Sequence, residues 1–403
     1  MKYFIIAGEA SGDLHGSNLI KGLKQADPHC EVKCWGGDLM KEAGGELLCH
    51  YKDTAVMGFW EVAVKLGKII GNLKKCKKHI LQFSPDVVIL IDYPGFNFRI
   101  AKFAKNQGFK VFYYIAPKIW AWKESRGKRL QKYVNKLFII FPFEIEYFKK
   151  RWNIDAIYRG NPLIDSINSN PYIQESRESF CERISNSYSI VLNAQEKYIA
   201  LLAGSRRSEI SFLLPRMVDV MQMFPQYKFI LAAAPSVPED FYVEVITTHC
   251  KKTGIDVSSL SLPIIYGQTY PILKHSAAAI VNSGTASLEA ALIGTPQVVC
   301  YGGSKVSYFI AKHLIKGIKY ISLANLIADK LIFKELIQNN SSAKNIAAEL
   351  HLLLEDERYI KAMKADYLMV CKLLGSTGAS VAVARAMVEE LKLPEDKNQQ
   401  NED

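Results

Sequence analysis

Short runs of consecutive apolar residues alternate with longer stretches of helical period along most of the chain. Runs at 3–7, 87–91, 110–114, 136–141, 199–203, 228–232 and 278–281 have the length and continuity of strands buried on both faces. Between them, 15–25, 60–83, 98–107, 216–223 and 286–292 read as helices. Strands separated by helices predict βαβ units and parallel sheets. Two strand ends are alike, Ile5-Ile6-Ala7-Gly8-Glu9 and Leu201-Leu202-Ala203-Gly204-Ser205, and each looks like the first strand of its own Rossmann-like domain. The predicted division is therefore 1–170 and 171–365, with helices of about 366–393 packing back on the first domain. The Ser- and Asn-rich stretch 167–197 reads as a linker and domain entry, and 394–403 as a disordered polar tail. Ligands of such folds bind beyond the carboxyl ends of the strands, so two domains of this kind predict a cleft lined by those loops.

Charge changes the picture. The 403 residues carry 51 Lys+Arg and 40 Asp+Glu, a net of +11. Residues 1–160 hold 27 basic and 15 acidic side chains, while the rest of the chain has a net charge of −1. A positive first half implies an anionic partner: nucleic acid, an acidic membrane surface or phosphorylated substrates. No nucleic-acid recognition signature accompanies the charge, so nucleic acid is not expected. One source of the charge is 62–85, with six Lys and no acid, among them Lys74, Lys75, Lys77 and Lys78. Val62, Leu66, Ile69, Ile70 and Leu73 recur there at helical spacing, and Met57, Phe59 and Trp60 precede them. That pattern suits an amphipathic helix on an anionic membrane, and equally an ordinary helix with a solvated Lys face. A second basic cluster runs from Lys118 to Lys136.

Eight cysteines without C-x-x-C or framework spacing read as reduced thiols in a cytosolic protein, and no ligand spacing points to a metal. The N-terminal apolar run is too short for a signal peptide, and no uninterrupted apolar run of about 18 residues predicts a membrane span.

Candidate chemistry sits at the strand ends. Gly8-Glu9-Ala10-Ser11-Gly12-Asp13 leaves the first strand and opens a helix, which suits an anionic ligand, or simply a turn capped by Asp13. It is neither G-x-G-x-x-G nor a Walker A. Asp92 ends the apolar run 87–91, a position suited to a general base or to capping the next helix. Ile119-Trp120-Ala121-Trp122 follows another strand beside Lys118 and Lys123, as a sugar- or acyl-lining loop or a cover over the core. Gly204-Ser205-Arg206-Arg207 joins arginines to helix-start amides, a combination for diphosphate, or less often a solvated Arg-Ser-Glu helix start. Ser283-Gly284-Thr285-Ala286-Ser287-Leu288-Glu289 is a further strand–Gly–helix junction, whose small hydroxylated residues suit phosphate and whose Glu289 could meet a ribose diol, or else a capping-box-like helix start. His15, His275 and His313 read as structural or surface residues.

With these motifs in this order, the chain resembles the lipid-A-disaccharide synthase family. Val56-Met57-Gly58-Phe59-Trp60-Glu61-Val62, Phe141-Pro142-Phe143-Glu144, Gly160-Asn161-Pro162 and Asn325-Leu326 complete the likeness, which runs from residue 1 to about 385. The resemblance implies a GT-B fold, two Rossmann-like parallel-sheet domains facing a central cleft. It implies inverting transfer of diacylglucosamine from UDP-2,3-diacylglucosamine to the 6-hydroxyl of 2,3-diacylglucosamine 1-phosphate, giving a β-1,6 disaccharide 1-phosphate and UDP. It also implies no cofactor or metal, a cytoplasmic enzyme peripheral to the inner membrane, and a possible homodimer. By the resemblance Asp92 is the general base, with Glu9, Ser11 and Asp13 beside it in the catalytic site. The nucleotide-sugar falls to Gly204, Ser205, Arg206, Ser283, Gly284, Thr285, Ala286, Glu289 and Asn325. Met57, Phe59, Trp60, the four lysines, Trp120 and Trp122 fall on the acceptor and membrane side. The chain departs from the family pattern at Gly95, often a second Asp, and at Ala203 and Ala324, usually Pro. The rival readings are another UDP-N-acetylglucosamine transferase or epimerase, and a non-catalytic membrane-surface or nucleic-acid binding protein.

Overall fold

The apolar runs assemble into two separate sheets, and every strand pair in both is parallel. A computed structural model describes residues 1–54, 62–120, 123–302 and 319–393. One compact unit is Met1–Asp165 together with the described chain from Leu374, and the other is Ser166–Leu373.

The first sheet contains β1 (Lys2–Ala7), β2 (Glu31–Gly36), β3 (Glu46–His50), β4 (Val87–Ile91), β5 (Lys110–Tyr114), β6 (Lys136–Ile139) and β7 (Ala156–Tyr158). Its order is β3-β2-β1-β4-β5-β6-β7, so the winding reverses between β1 and β4. Ligands of doubly wound sheets bind at such a reversal, outside the carboxyl ends of the two strands. Side chains alternate between two cores: Phe4 and Ile6 join Val88 and Leu90 on one face, while Tyr3, Ile5 and Ala7 join Ile89 and Ile91 on the other.

The second sheet contains β8 (Tyr198–Leu202), β9 (Lys228–Ala233), β10 (Ile264–Tyr266), β11 (Ala278–Asn282), β12 (Gln297–Tyr301) and β13 (Glu335–Ile337). Its order is β10-β9-β8-β11-β12-β13, with the reversal between β8 and β11. Both glycine-bearing strand ends, at Gly8 and Gly204, thus lie at the switch point of their own sheet.

The last described helix, Ala379–Lys392, belongs to the first unit, where it packs on α1 (Ala10–Ala26). Val383, Ala384 and Met387 enter the same core as Leu19, Ile20 and Leu23. The helices approach so closely that a Cβ on Gly22 would lie 2.9 Å from the Ala384 Cβ. Asp165 fixes the helix start by accepting the Gly378 and Ser380 N–H groups at 2.6 and 2.9 Å. Burial of that apolar face and the cap act together to seat the helix.

Three expectations change. The stretch 167–197 is not mainly linker: it contains the helix Arg177–Tyr188, capped by Ser176 and burying Phe180, Cys181 and Ile184 against the second sheet. The helix expected at 216–223 is Arg207–Met223, because Pro215 interrupts the pattern without ending the helix. Within Glu357–Lys392 one stretch has the length and apolar content of a membrane span. In the fold it is two helices meeting near Gly375–Gly378, and the second is packed on α1.

Candidate active site

In the first unit, Ala7 of β1 pairs with Ile91 of β4, so Gly8 and Asp92 leave the sheet side by side. The chain turns at Asp92 and Tyr93 with φ of 41° and 45°, two consecutive left-handed residues without a glycine. Such backbone is costly and persists only when neighbours fix it. Here the Asp92 N–H donates to the Tyr114 carbonyl at 3.2 Å. The Asp92 carbonyl accepts the Tyr113 hydroxyl at 2.5 Å and the Asn97 amide at 2.8 Å. Asn97 is fully buried and also donates to the Ile91 carbonyl. The elbow lifts the Asp92 carboxyl to the edge of the sheet. Burial pushes its pKa up to about 6, with the charge of Glu9 adding to the rise and Lys118, the Tyr93 N–H and Arg126 opposing it. A carboxyl of that pKa is ionised at neutral pH and still holds a proton well, as a general base must.

Glu9 is the N-cap residue of α1, exposed, and accepts the Ser11 hydroxyl at 2.8 Å. The carboxyls of Glu9 and Asp92, with the Ser11 hydroxyl held by Glu9, therefore stand at the β1–β4 reversal. Asp13 stands apart from it. Its buried carboxylate accepts the N–H groups of Gly37, Leu39 and Met40 at 2.7, 3.2 and 3.1 Å. Those amides open the short helix α2 (Asp38–Glu42), so Asp13 caps a helix other than its own.

The loop after β5 begins at Ile115 with φ 59°, a strained value for a β-branched residue. It carries Lys118 and Trp120. The Trp120 indole donates to Glu144 Oε1 at 2.9 Å and meets Phe143 edge-on at 5.2 Å. Glu144 is buried, its pKa pushed up to about 7 by that burial despite donors from Trp120 and the Phe141 N–H. In the sequence Glu144 stands only as part of the Phe141–Glu144 motif. Its signal was an acid directly behind an aromatic run, where a carboxylate needs internal donors.

Among the four lysines singled out in the helix Val62–Phe83, Lys74, Lys75 and Lys78 are exposed, while the Lys77 ammonium lies 5.0 Å from the Phe103 ring centre. Met57, Phe59, Trp60, Trp122 and His313 lie outside the described residues. His15 keeps an unpartnered Nδ1 and its pKa is pushed down to about 4 by burial; His275 stacks on Phe180 in the core. Both are neutral structural groups.

In the second unit, Gly204 follows β8 with φ 115°, and a Cβ there would lie 2.7 Å from the Glu209 side chain. Glu209 reaches back to accept the Ser205 and Arg206 N–H groups at 3.0 and 3.3 Å. It also pairs with the Arg206 guanidinium at 2.8 Å. The expected anion site on these amides is thus taken up by the chain's own carboxylate, because a helix start needs an acceptor and Glu209 is one turn in. The Arg206 side chain, 78% exposed, remains presented to solvent.

At the end of β11 the exposed Gly284 and Thr285 open the helix Thr285–Ile293, and Ser283 donates its N–H to the Cys300 carbonyl. Ala286 packs toward the core, and the Ser287 hydroxyl closes the helix start on the Gly284 carbonyl. Glu289 accepts the Tyr270 hydroxyl at 3.2 Å, and burial raises its pKa to about 7 against that bond. Asn325 is fully buried with both ends of its amide engaged: it donates to the Phe333 carbonyl and Glu335, and accepts the Ile332 and Phe333 N–H groups. It shapes the approach to β13 rather than offering its side chain to a ligand. Among the described residues no three His, Cys, Asp or Glu side chains converge as metal ligands would.

A lipid-A-disaccharide synthetase family model matches residues 3–382. The chain is 34% identical to the lipid-A-disaccharide synthase of Trichlorobacter lovleyi over 387 residues, 95% of this chain and 96% of that one. It is 34% identical to that of Geobacter sulfurreducens over 394 residues, 97% of each. Among solved structures, the UDP-GlcNAc 2-epimerase of Neisseria meningitidis bound to UDP-GlcNAc superposes with a TM-score of 0.68 at 14% identity, covering 96% of this chain and 100% of that one. A glycosyltransferase from Rickettsia africae gives 0.57 at 13% identity, covering 97% and 98%. These structures share the fold, which is of the GT-B class with two Rossmann-like parallel-sheet domains.

Proposed function

Because the chain belongs to the lipid-A-disaccharide synthase family, and is thereby a glycosyltransferase of lipid A biosynthesis, we propose the following reaction for it. The enzyme transfers 2,3-diacylglucosamine from UDP-2,3-diacylglucosamine to the 6-hydroxyl of 2,3-diacylglucosamine 1-phosphate, with inversion. The acceptor hydroxyl attacks the anomeric carbon, the bond to the diphosphate oxygen breaks, and UDP departs with the electron pair.

Asp92 takes the proton from the attacking hydroxyl. The observation that carries this role is its strained elbow at the β1–β4 reversal, with a pKa raised to about 6. Glu9 and Ser11 hold sugar hydroxyls beside it, and Asp13 acts at one remove by fixing α2. Arg206 meets the diphosphate, exchanging its pairing with Glu209 for the ligand's charge. With Glu209 giving up the Ser205 and Arg206 N–H groups to the ligand, Gly204 and Ser205 give the close backbone approach. Ser283, Gly284, Thr285 and Ala286 give the second helix start, and Glu289 the ribose diol. Asn325 acts only by shaping its loop. Trp120 and the exposed Lys74, Lys75 and Lys78 serve the lipid side, the lysines on an anionic membrane surface.

The test is incubation with UDP-diacylglucosamine and the acceptor 1-phosphate, with and without a chelator. Disaccharide 1-phosphate and UDP in equal amounts, unaffected by the chelator, are expected. Epimerised UDP-sugar without disaccharide would replace this reading with an epimerase.

A further inference from the structure

One buried acid of the first unit has no part in the proposed chemistry. Glu144 is 1% exposed, and each of its oxygens holds a different piece of chain: Oε1 the Trp120 indole at 2.9 Å, Oε2 the Phe141 N–H at 3.1 Å. The Phe141 ring stacks on Phe143 at 5.6 Å between centres with 4° between planes, and Trp120 meets the same Phe143 edge-on. The Lys118 ammonium lies 5.9 Å from the Phe141 ring centre. Lys118 and Trp120 share the loop that leaves β5 through the left-handed Ile115. The Ile115 N–H still donates to the Phe138 carbonyl of β6 at 3.0 Å, and Glu144 adds an anchor farther along the loop. The loop starts beside Asp92: Tyr114 of β5 pairs with Ile91, and its carbonyl accepts the Asp92 N–H at 3.2 Å. Lys118 is also one of the charges acting on Asp92.

We propose that Glu144 is a positioning residue for the transfer reaction: through Trp120 and the Phe141 amide it fixes the loop after β5 so that Lys118 is held beside Asp92. The inference rests on the reading of Asp92 as the base. Its logic is electrostatic. A fixed ammonium favours the ionised carboxylate, and a loosened loop lets that charge drift into solvent, where it is screened. The groups facing Asp92 are Glu9, Lys118, Arg126 and Tyr113, and those facing Glu144 are Lys118 and Tyr158. Lys118 acts on both carboxyls.

Two variants test it. Glu144→Gln keeps the shape but cannot accept from both donors at once, and Trp120→Phe removes one donor while keeping an aromatic ring. Each is expected to move the acidic limb of kcat upward by about half a pH unit, an about threefold loss at pH 5.5 relative to its own high-pH plateau; in Glu144→Gln that plateau and the donor KM stay within about twofold. The double variant should move the limb no further than either single one. The indole emission change caused by Glu144→Gln should vanish in the Trp120→Phe background. A purely structural Glu144 would lower the melting temperature and leave the limb unmoved, which overturns the proposal, as would additive shifts in the double variant. If Asp92→Asn kept near wild-type transfer, both the base reading and this inference would fall. Unmoved limbs beside an inactive Asp92→Asn would overturn this inference alone.

Discussion

The ring of Tyr93 occupies the space that a side chain on Gly8 would need: a Cβ there would lie 2.3 Å from the ring. Tyr93 is in turn stacked on Phe96, and Phe96 on Trp35, so the ring has little room to retreat. The glycine after β1 is therefore required by the residue that follows Asp92. Gly8→Ala should force Tyr93 off its stack and disturb the elbow, destabilising by about 1–3 kcal/mol. Thermal unfolding and turnover at one temperature check this, and an unaltered Tm with full activity would contradict it.

Asp92→Asn separates chemistry from backbone. Asn tolerates the left-handed region well, so the elbow should survive where Ala would strain it. Transfer should fall by about 10²–10⁴-fold, while UDP binding, measured by calorimetry, stays. In the wild type kcat should rise with pH through about 6, as Asp92 loses its proton. The stability effect has the opposite sense. A carboxyl whose folded pKa is raised favours the fold while protonated, and that contribution is lost as pH climbs from about 4 to about 6. Stability curves of the two proteins should therefore converge at acid pH, with the Asn variant the more stable above pH 6.

Arg206 and Glu209 make a second, independent test. Arg206→Ala should raise the donor KM and weaken UDP about 10–100-fold, and Lys should restore little because a point charge lacks the fork geometry. Glu209→Gln should loosen the loop before the helix Arg207–Met223, costing about 1 kcal/mol of stability. Equal UDP affinity in Arg206→Ala and wild type would remove Arg206 from the diphosphate site.

The basic helix Val62–Phe83 should give salt-sensitive adsorption to anionic vesicles. Its lysines are not equal: Lys74, Lys75 and Lys78 are exposed, and Lys77 is set against Phe103. Neutralising the first three should weaken binding by about 1 kcal/mol each, and Lys77→Ala by visibly less. Cosedimentation across a salt series measures the ranking.

What the sequence revealed follows from where each signal lies. β1, β4, β8 and β11 are continuous apolar runs buried on both faces, so pattern alone finds them. β7, β10 and β13 are three residues each, and β2 begins Glu31-Val32-Lys33, so none offers a comparable run. The position of Asp92 at a strand end was equally legible. The task of Asp13 was not, because its partners Gly37, Leu39 and Met40 lie 24 to 27 residues away and reach it only through the fold. Glu144 and Trp120, 24 residues apart, were hidden for the same reason. Glu209 stood in plain view, but arginines at a helix start point to a ligand, and that this glutamate closes the cap shows only in the folded turn.

The helix Ala379–Lys392 also bears on how the protein is made. The first sheet's strands leave the ribosome early, yet the surface of α1 formed by Leu19, Ile20 and Leu23 finds its cover in residues synthesised more than 350 positions later. The second unit can be complete while the first still exposes that apolar stripe to the crowded interior of the cell. Such a nascent chain has an interval in which holdase chaperones find a binding surface and aggregation a starting point. The helix Ala379–Lys392 ends that interval, so the first domain cannot close its core until the second has been synthesised.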